Sequence, residues 1–193
     1  VGLVLDQAQF KALKKDPQSV TVGVSSSPGG QSHIAAALVL QALGLDPAKL
    51  KIVFFDSGGE AVTALMGHHI DVSATPVPEV LGPVQAGKLR MVAVPAESRL
   101  PGALADVPTW KEQGVDAEFA TWRVLVGPKG MTADELAWWD DALGKVMASD
   151  EWKTAAARNM WTVDYKNSKD LKAFLDSENT RLAALLKDLG LAK

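Results

Sequence analysis

Between residues 20 and 94, short β-branched segments alternate with stretches of helical character, separated only by brief turns. Few folds accommodate that rhythm. Val20, Val22 and Val24 alternate with smaller residues as a half-buried or central strand does. An apolar helix is expected over residues 33–43, closed by Gly44. Residues 51–55 read as a second strand, 60–68 as a helix with Val62, Leu65 and Met66 on one face, and 70–74 as a third strand. A helix over 78–86 and a fourth strand over 90–94 complete the pattern. Strands joined through helices by short links predict a parallel sheet flanked by helices. Ligands in such sheets bind at the carboxyl ends of the strands where the order reverses, which directs attention to the loops after Val24, Phe55 and Ala74.

The flanking segments are of another kind. Asp6 reads as the N-cap of a short helix reaching Lys15, with Phe10 and Leu13 inward and Pro17 as its stop. Residues 97–107, with Pro101, Gly102 and then Pro108, form an irregular link. The extended run 117–127 exceeds a typical strand, and its length would let it cross between two sheets. Thr132 is placed to cap a helix with Glu135 at the capping-box position, and Leu136, Trp139, Leu143, Val146 and Met147 form its inward stripe. Ser149 starts a short helix around Trp152, 161–165 is a brief strand, and Ser168 opens a last helix with Leu171, Phe174, Leu175, Leu182, Leu185, Leu186 and Leu189 at helical spacing.

Charge and composition exclude several functions. Twenty Lys and Arg against 23 Asp and Glu leave a net charge of −3, with Lys14-Lys15 as the only adjacent basic pair, so the electrostatic footprint of a nucleic-acid binder is missing. Without cysteine there is no disulfide framework and no thiolate metal site, a composition compatible with an oxidising compartment. No apolar run approaches the roughly 18–20 residues of a membrane span. His68 and His69 point apart on either a helix or a strand and read as a helix C-terminus; no metal and no cofactor are expected.

The strongest functional candidate is the loop of Ser25, Ser26, Ser27, Pro28, Gly29, Gly30, Gln31 and Ser32, with His33 following. A helix N-terminus presents unpaired amides and the positive end of the macrodipole, which together attract anions. Gly29 and Gly30 allow close backbone approach, and the hydroxyls add donors. The competing reading is an ordinary turn with a serine N-cap. Neither a Walker P-loop nor a dinucleotide-binding GxGxxG matches, and the loop holds no Lys or Arg. Neutral donors favour a carboxylate that must be released. The serines also follow a strand and precede a helix, as a hydrolase nucleophile does, but the G-x-S-x-G pattern fails at its last position. His33 then reads as a residue holding the loop. Trp122, midway along the long extended run, is a candidate cleft residue, with core packing as the alternative.

Three ordered segments resemble a known family. Gly67-His68-His69-Ile70-Asp71-Val72, Ala86-Gly87-Lys88-Leu89-Arg90 and Pro108-Thr109-Trp110-Lys111-Glu112-Gln113-Gly114 are similar to segments of the tripartite tricarboxylate transporter receptors (the Bug or TctC family). The serine-rich loop ending in Ser32 and His33 resembles that family's loop, and Trp122 with Gly127-Pro128-Lys129-Gly130 resembles its crossing strand and exit.

The resemblance implies a periplasmic, non-enzymatic, Venus-flytrap protein that binds a di- or tricarboxylate and passes it to the permease subunits of a tripartite transporter. It implies that residues 1–121 form one complete α/β lobe, the second, and that residues 122–193 hold the crossing strand and C-terminal helices of an incomplete first lobe. Ligand contacts would fall at residues 25–33 and, after the third strand, at Thr75 and Pro76. Thr75 departs from the acidic or amide residue common at that point. The C-terminal helices are expected to expose apolar surface and to associate through it, the chain being a fragment, a proteolysed product or part of an assembly. Two other readings are a sensor module of the same architecture and, further off, a serine hydrolase.

Overall fold

The computed structural model describes residues 2–3, 11–13 and 15–192, with the backbone alone described at residues 2 and 3. Most of the expected first helix lies outside these residues; 11–13 and 15 are helical. Two compact units form: Val1–Thr121 with Ala183–Lys193, and Trp122–Leu182.

The first unit is built on a four-stranded sheet. Its strands are β1 (Gly2–Leu3), β2 (Thr21–Val24), β3 (Lys51–Phe54) and β4 (Val72–Thr75), in the order β1-β4-β2-β3. β2 pairs in parallel with β3 on one side and β4 on the other, while β1 runs antiparallel to β4. Burial follows position. Central β4 is buried throughout, β2 from Val22 onward, and edge strand β3 leaves Val53 and Phe54 exposed. Helices α1 (Gln31–Ala42), α2 (Gly58–Met66) and α3 (Val77–Gln85) connect and follow the strands.

Helix α1 is apolar on all sides, and its nine residues from Ser32 to Leu40 are all buried. Its sequence allowed nothing else, since a helix without a polar face must be enclosed. α2 and α3 are amphipathic and share a second core of Val62, Val77, Val80, Met91, Val94 and Leu104.

Three expected strands are missing among the described residues. Residues 90–94 form no strand; Ala93 and Val94 are isolated bridge residues, with Val94 pairing in parallel with Thr109. The Val94 amide donates to the Pro108 carbonyl at 2.9 Å and the Trp110 amide to the Val94 carbonyl at 2.9 Å. Pro95 and Pro108 have no N–H to extend the ladder. In the run 117–127, Phe119 donates to the Pro95 carbonyl, and the residues beyond it make no backbone–backbone hydrogen bond among the described ones. Residues 161–165 pair with no strand among the described residues; the Trp161 amide donates to the Ala156 carbonyl at 2.9 Å and the Tyr165 hydroxyl to the Asp140 carbonyl at 2.7 Å.

The second unit contains α4 (Ala133–Ala148), α5 (Asp150–Arg158) and α6 (Ser168–Asp188) up to Leu182. The expected capping box of α4 is complete: Thr132 Oγ1 accepts the Glu135 amide, and Glu135 Oε2 accepts the Thr132 amide at 2.7 Å. That amide, ahead of the other contacts, holds the Glu135 carboxyl below its ordinary range. Thr132→Ala is expected to lower stability by about 1 kcal/mol, read as a shift in the urea midpoint; an unchanged midpoint would show that the cap contributes nothing. The expected inward stripe of α4 is not buried. Leu136, Trp139 and Val146 are exposed, and α4 has no buried residue. Stripes like this need a second layer, and within this unit the helices supply none. Trp138 and Trp139 meet edge to face at 5.0 Å with Trp138 61% exposed, an apolar surface open to solvent.

Candidate functional site

The strand order reverses beside β2. The chain leaves it through α1 to reach β3 on one side, then returns through α2 to β4 on the other. The loop after β2, residues 25–30, therefore occupies the position where sheets of this type hold ligands.

This loop is tied together from within. Gly29 lies at φ +77°, in the left-handed region. Its amide donates to His33 Nδ1 at 2.9 Å. The Gly30 amide donates to the Ser27 carbonyl at 2.9 Å, and Ser25 Oγ lies 3.3 Å from Ser32 Oγ. A Cβ on Gly30 would sit 2.8 Å from Ser26 Cβ and 3.0 Å from the Ser27 carbonyl oxygen. The need for glycine at residue 30 is thus set by the loop's own packing. Ser27 and Pro28 are exposed, Ser25, Ser26, Gly29, Gly30 and Gln31 half-buried, and Ser32 and His33 buried.

The start of α1 remains chemically open. Gly30 is the N-cap and makes no side-chain cap, so the alternative of a serine-capped turn does not hold. The Ile34 amide is the first to find a helical carbonyl, that of Gly30 at 2.9 Å. Among the described residues the amides of Gln31, Ser32 and His33 have no partner, and they stand as the orphan donors of the first turn. No acidic residue occupies that turn. Ser26 Oγ is buried and has no hydrogen-bond partner among the described residues. A buried hydroxyl without a partner carries a desolvation cost of about 1–3 kcal/mol, which a bound acceptor or donor would relieve.

The starts of α2 and α3 are closed. Ser57 Oγ caps α2 by accepting the Glu60 amide, and Glu60 Oε2 accepts the Asp56 amide at 3.2 Å. α3 has Pro78, which lacks an N–H, and Glu79 in its first turn. An anion would meet a carboxylate in both places.

The remaining sequence candidates lie as follows. Thr75 is fully buried in β4, and its hydroxyl pairs with that of Ser73 on the same face of the strand. Pro76, half-buried, is the N-cap of α3. Gln31 Oε1 accepts from Thr121 Oγ1 at 3.0 Å. In the second unit, Trp122 is 40% exposed, stacks edge to face on Phe174 at 5.9 Å, and donates through Nε1 to Glu178 Oε2 at 3.3 Å. Arg181 makes a forked pair with Glu178 and, ahead of the Trp122 contact, keeps that carboxyl below its ordinary range. His68, at φ 57°, and His69 are exposed at the end of α2. No group of three or more metal-binding side chains comes together among the described residues.

Several residues around the loop carried no local signal in the sequence. Thr121 reaches Gln31 across 90 positions. Leu186 Cδ2 and Leu191 Cδ1 lie 3.4 and 3.5 Å from where a Gly29 Cβ would stand. Phe54 meets the His33 ring edge to face at 5.3 Å. The His33–Gly29 bond did have one: a histidine at the third helical position can reach back as Glu or Gln does in a capping box, here to the residue before the N-cap.

The fold is that of the periplasmic solute-binding proteins. A TctC solute-binding protein from Polaromonas, solved with no ligand, superposes with a TM-score of 0.77 at 25% identity over 97% of this chain and 66% of that one. An R. palustris protein solved with adipate shares the fold with a TM-score of 0.77 at 20% identity, over 99% of this chain and 65% of that one. A UPF0065 protein of Agrobacterium vitis, from the TAR-I ttuE-ttuC' intergenic region, is 28% identical over 92% of this chain and 51% of its own length. The chain spans about half the length of the curated relatives it matches. The profile of the tripartite tricarboxylate transporter family receptor, TctC, matches residues 6–191, and the chain belongs to that family.

Proposed function

We propose that this chain is the ligand-gripping part of an extracytoplasmic receptor that binds a small di- or tricarboxylate reversibly and delivers it to the membrane subunits of a tripartite tricarboxylate transporter. In this reading residues 1–121 supply one lobe, and residues 122–193 contribute to the other. The observation that carries it is the open start of α1: three first-turn amides, no side-chain cap, no acidic residue in that turn and a Ser26 hydroxyl unpartnered among the described residues, all at the topological switch. Membership of the family and the adipate found with one structural relative support a carboxylate. With no Lys or Arg in the loop, the grip consists of neutral donors and the helix dipole. The serine-hydrolase alternative loses its base, because His33 Nδ1 is committed to Gly29 and none of Ser25, Ser26 or Ser27 bonds to an imidazole among the described residues. A sensor module of the same architecture would be told apart by a signalling partner.

A thermal-shift and calorimetric panel of citrate, malate, glutamate, adipate and aromatic carboxylates tests the proposal. A true ligand at about a hundred times its Kd stabilises the folded state by about 2.7 kcal/mol, a readily measured rise in melting temperature. No shift with any member would count against the receptor reading.

A further inference from the structure

His33 does more than fill space. Its ring is 6% exposed, on a helix with no charged residue, packed against Phe54 and bonded through Nδ1 to the Gly29 amide. A ring nitrogen that accepts from an N–H cannot itself carry a proton, so this bond fixes the neutral tautomer with hydrogen on Nε2. Protonation would set Nδ1–H against the Gly29 N–H, two donors facing each other. Gly29 is also the left-handed pivot of the loop, with Leu186 and Leu191 alongside.

We propose that His33 is a pH-responsive positioning residue of the loop: the neutral ring latches the Gly29 amide, and protonation releases it and loosens residues 25–30. Burial lowers the pKa of His33 from its ordinary 6.5. The charged groups on elements around it are Lys51 of β3, Asp56 beyond it, and Lys187 and Asp188 near the end of α6. None of them contributes to the shift. The unfolded chain therefore takes up this proton at a higher pH than the folded one. The stability contributed by the latch is complete above the unfolded value, and is lost as pH falls through it toward the folded value. For ligand binding the inference rests on the receptor reading, but the latch itself requires no ligand.

Heteronuclear NMR of the ligand-free protein from about pH 8 to about pH 4.5 tests it directly. The expected result is an Nε2–H tautomer at the upper end, a His33 midpoint below the ordinary value, and a Gly29 amide resonance that moves with the same midpoint and loses protection from exchange. His33→Asn places an amide oxygen near the Nδ1 position without a titrating group, so its Gly29 resonance is expected to stay fixed across the range. A Gly29 amide that ignores the His33 titration, or an Nδ1–H tautomer at high pH, would overturn the latch. An intact latch in a protein that binds no carboxylate would overturn the receptor reading alone.

Discussion

A Gly30→Val protein is expected to lose carboxylate affinity by about a hundredfold or more, equivalent to about 2.7 kcal/mol, while keeping its fold. The Cβ alone would stand 2.8 Å from Ser26 Cβ and 3.0 Å from the Ser27 carbonyl oxygen, neither of which is the yielding end of a flexible side chain. The loop must therefore move. Any movement of residues 25–30 disturbs the Gly30–Ser27 turn bond and displaces the N-cap in front of the open amides of α1. The cost to stability is confined to about 1–3 kcal/mol for an overpacked site, because the sheet and the buried body of α1 lie beyond the clash. Calorimetry with the best ligand of the panel, beside a thermal melt, separates the two effects. Unchanged affinity in a folded Gly30→Val protein would remove this loop from the site.

The parallel sheet was legible because its signals are local. Val22 and Val24 alternate onto buried positions, α1 is apolar throughout, and Gly44 closes it at φ +70°. The loop after β2 was legible for the same reason, since serine and glycine crowd between a strand and a helix. What could not be read were features that depend on a distant partner. Residues 90–94 and 161–165 have strand composition, yet a strand exists only where another offers its ladder, and composition does not announce the partner. Among the described residues Val94 found the short stretch 108–110, and Pro95 and Pro108 keep that pairing from extending. The stripe on α4 was real as a pattern but met no covering layer, so Leu136 and Trp139 are exposed. Thr75 is buried at the end of β4, where it shares a face with Ser73 two residues back and meets its hydroxyl; how deeply a strand end is buried depends on what packs over it, which local sequence does not announce.

Trp110→Ala is expected to be the most destabilising single substitution considered, costing about 3–5 kcal/mol against a total for domains of this size of about 5–15 kcal/mol. Trp110 is 2% exposed and is the largest of the fully buried side chains. Its backbone is a junction as well. The amide donates to the Val94 carbonyl, and its own carbonyl accepts from Gln113 at 3.0 Å and Val115 at 2.9 Å. An emptied ring cavity would thus loosen the one bridge joining 94 to 109 and the turn that follows. The chain then runs through Phe119, bonded to Pro95, to Thr121, whose hydroxyl meets Gln31 at the head of α1. Damage at Trp110 can therefore reach the candidate site through unbroken covalent and hydrogen-bonded contacts. The indole Nε1 is buried without a partner among the described residues, a cost that phenylalanine would not carry. Trp110→Phe should accordingly retain more than half of what alanine loses. Urea unfolding of the two variants decides it: equal losses would show that the ring's volume contributes little, and a loss below about 1 kcal/mol for alanine would mean that the link is held elsewhere.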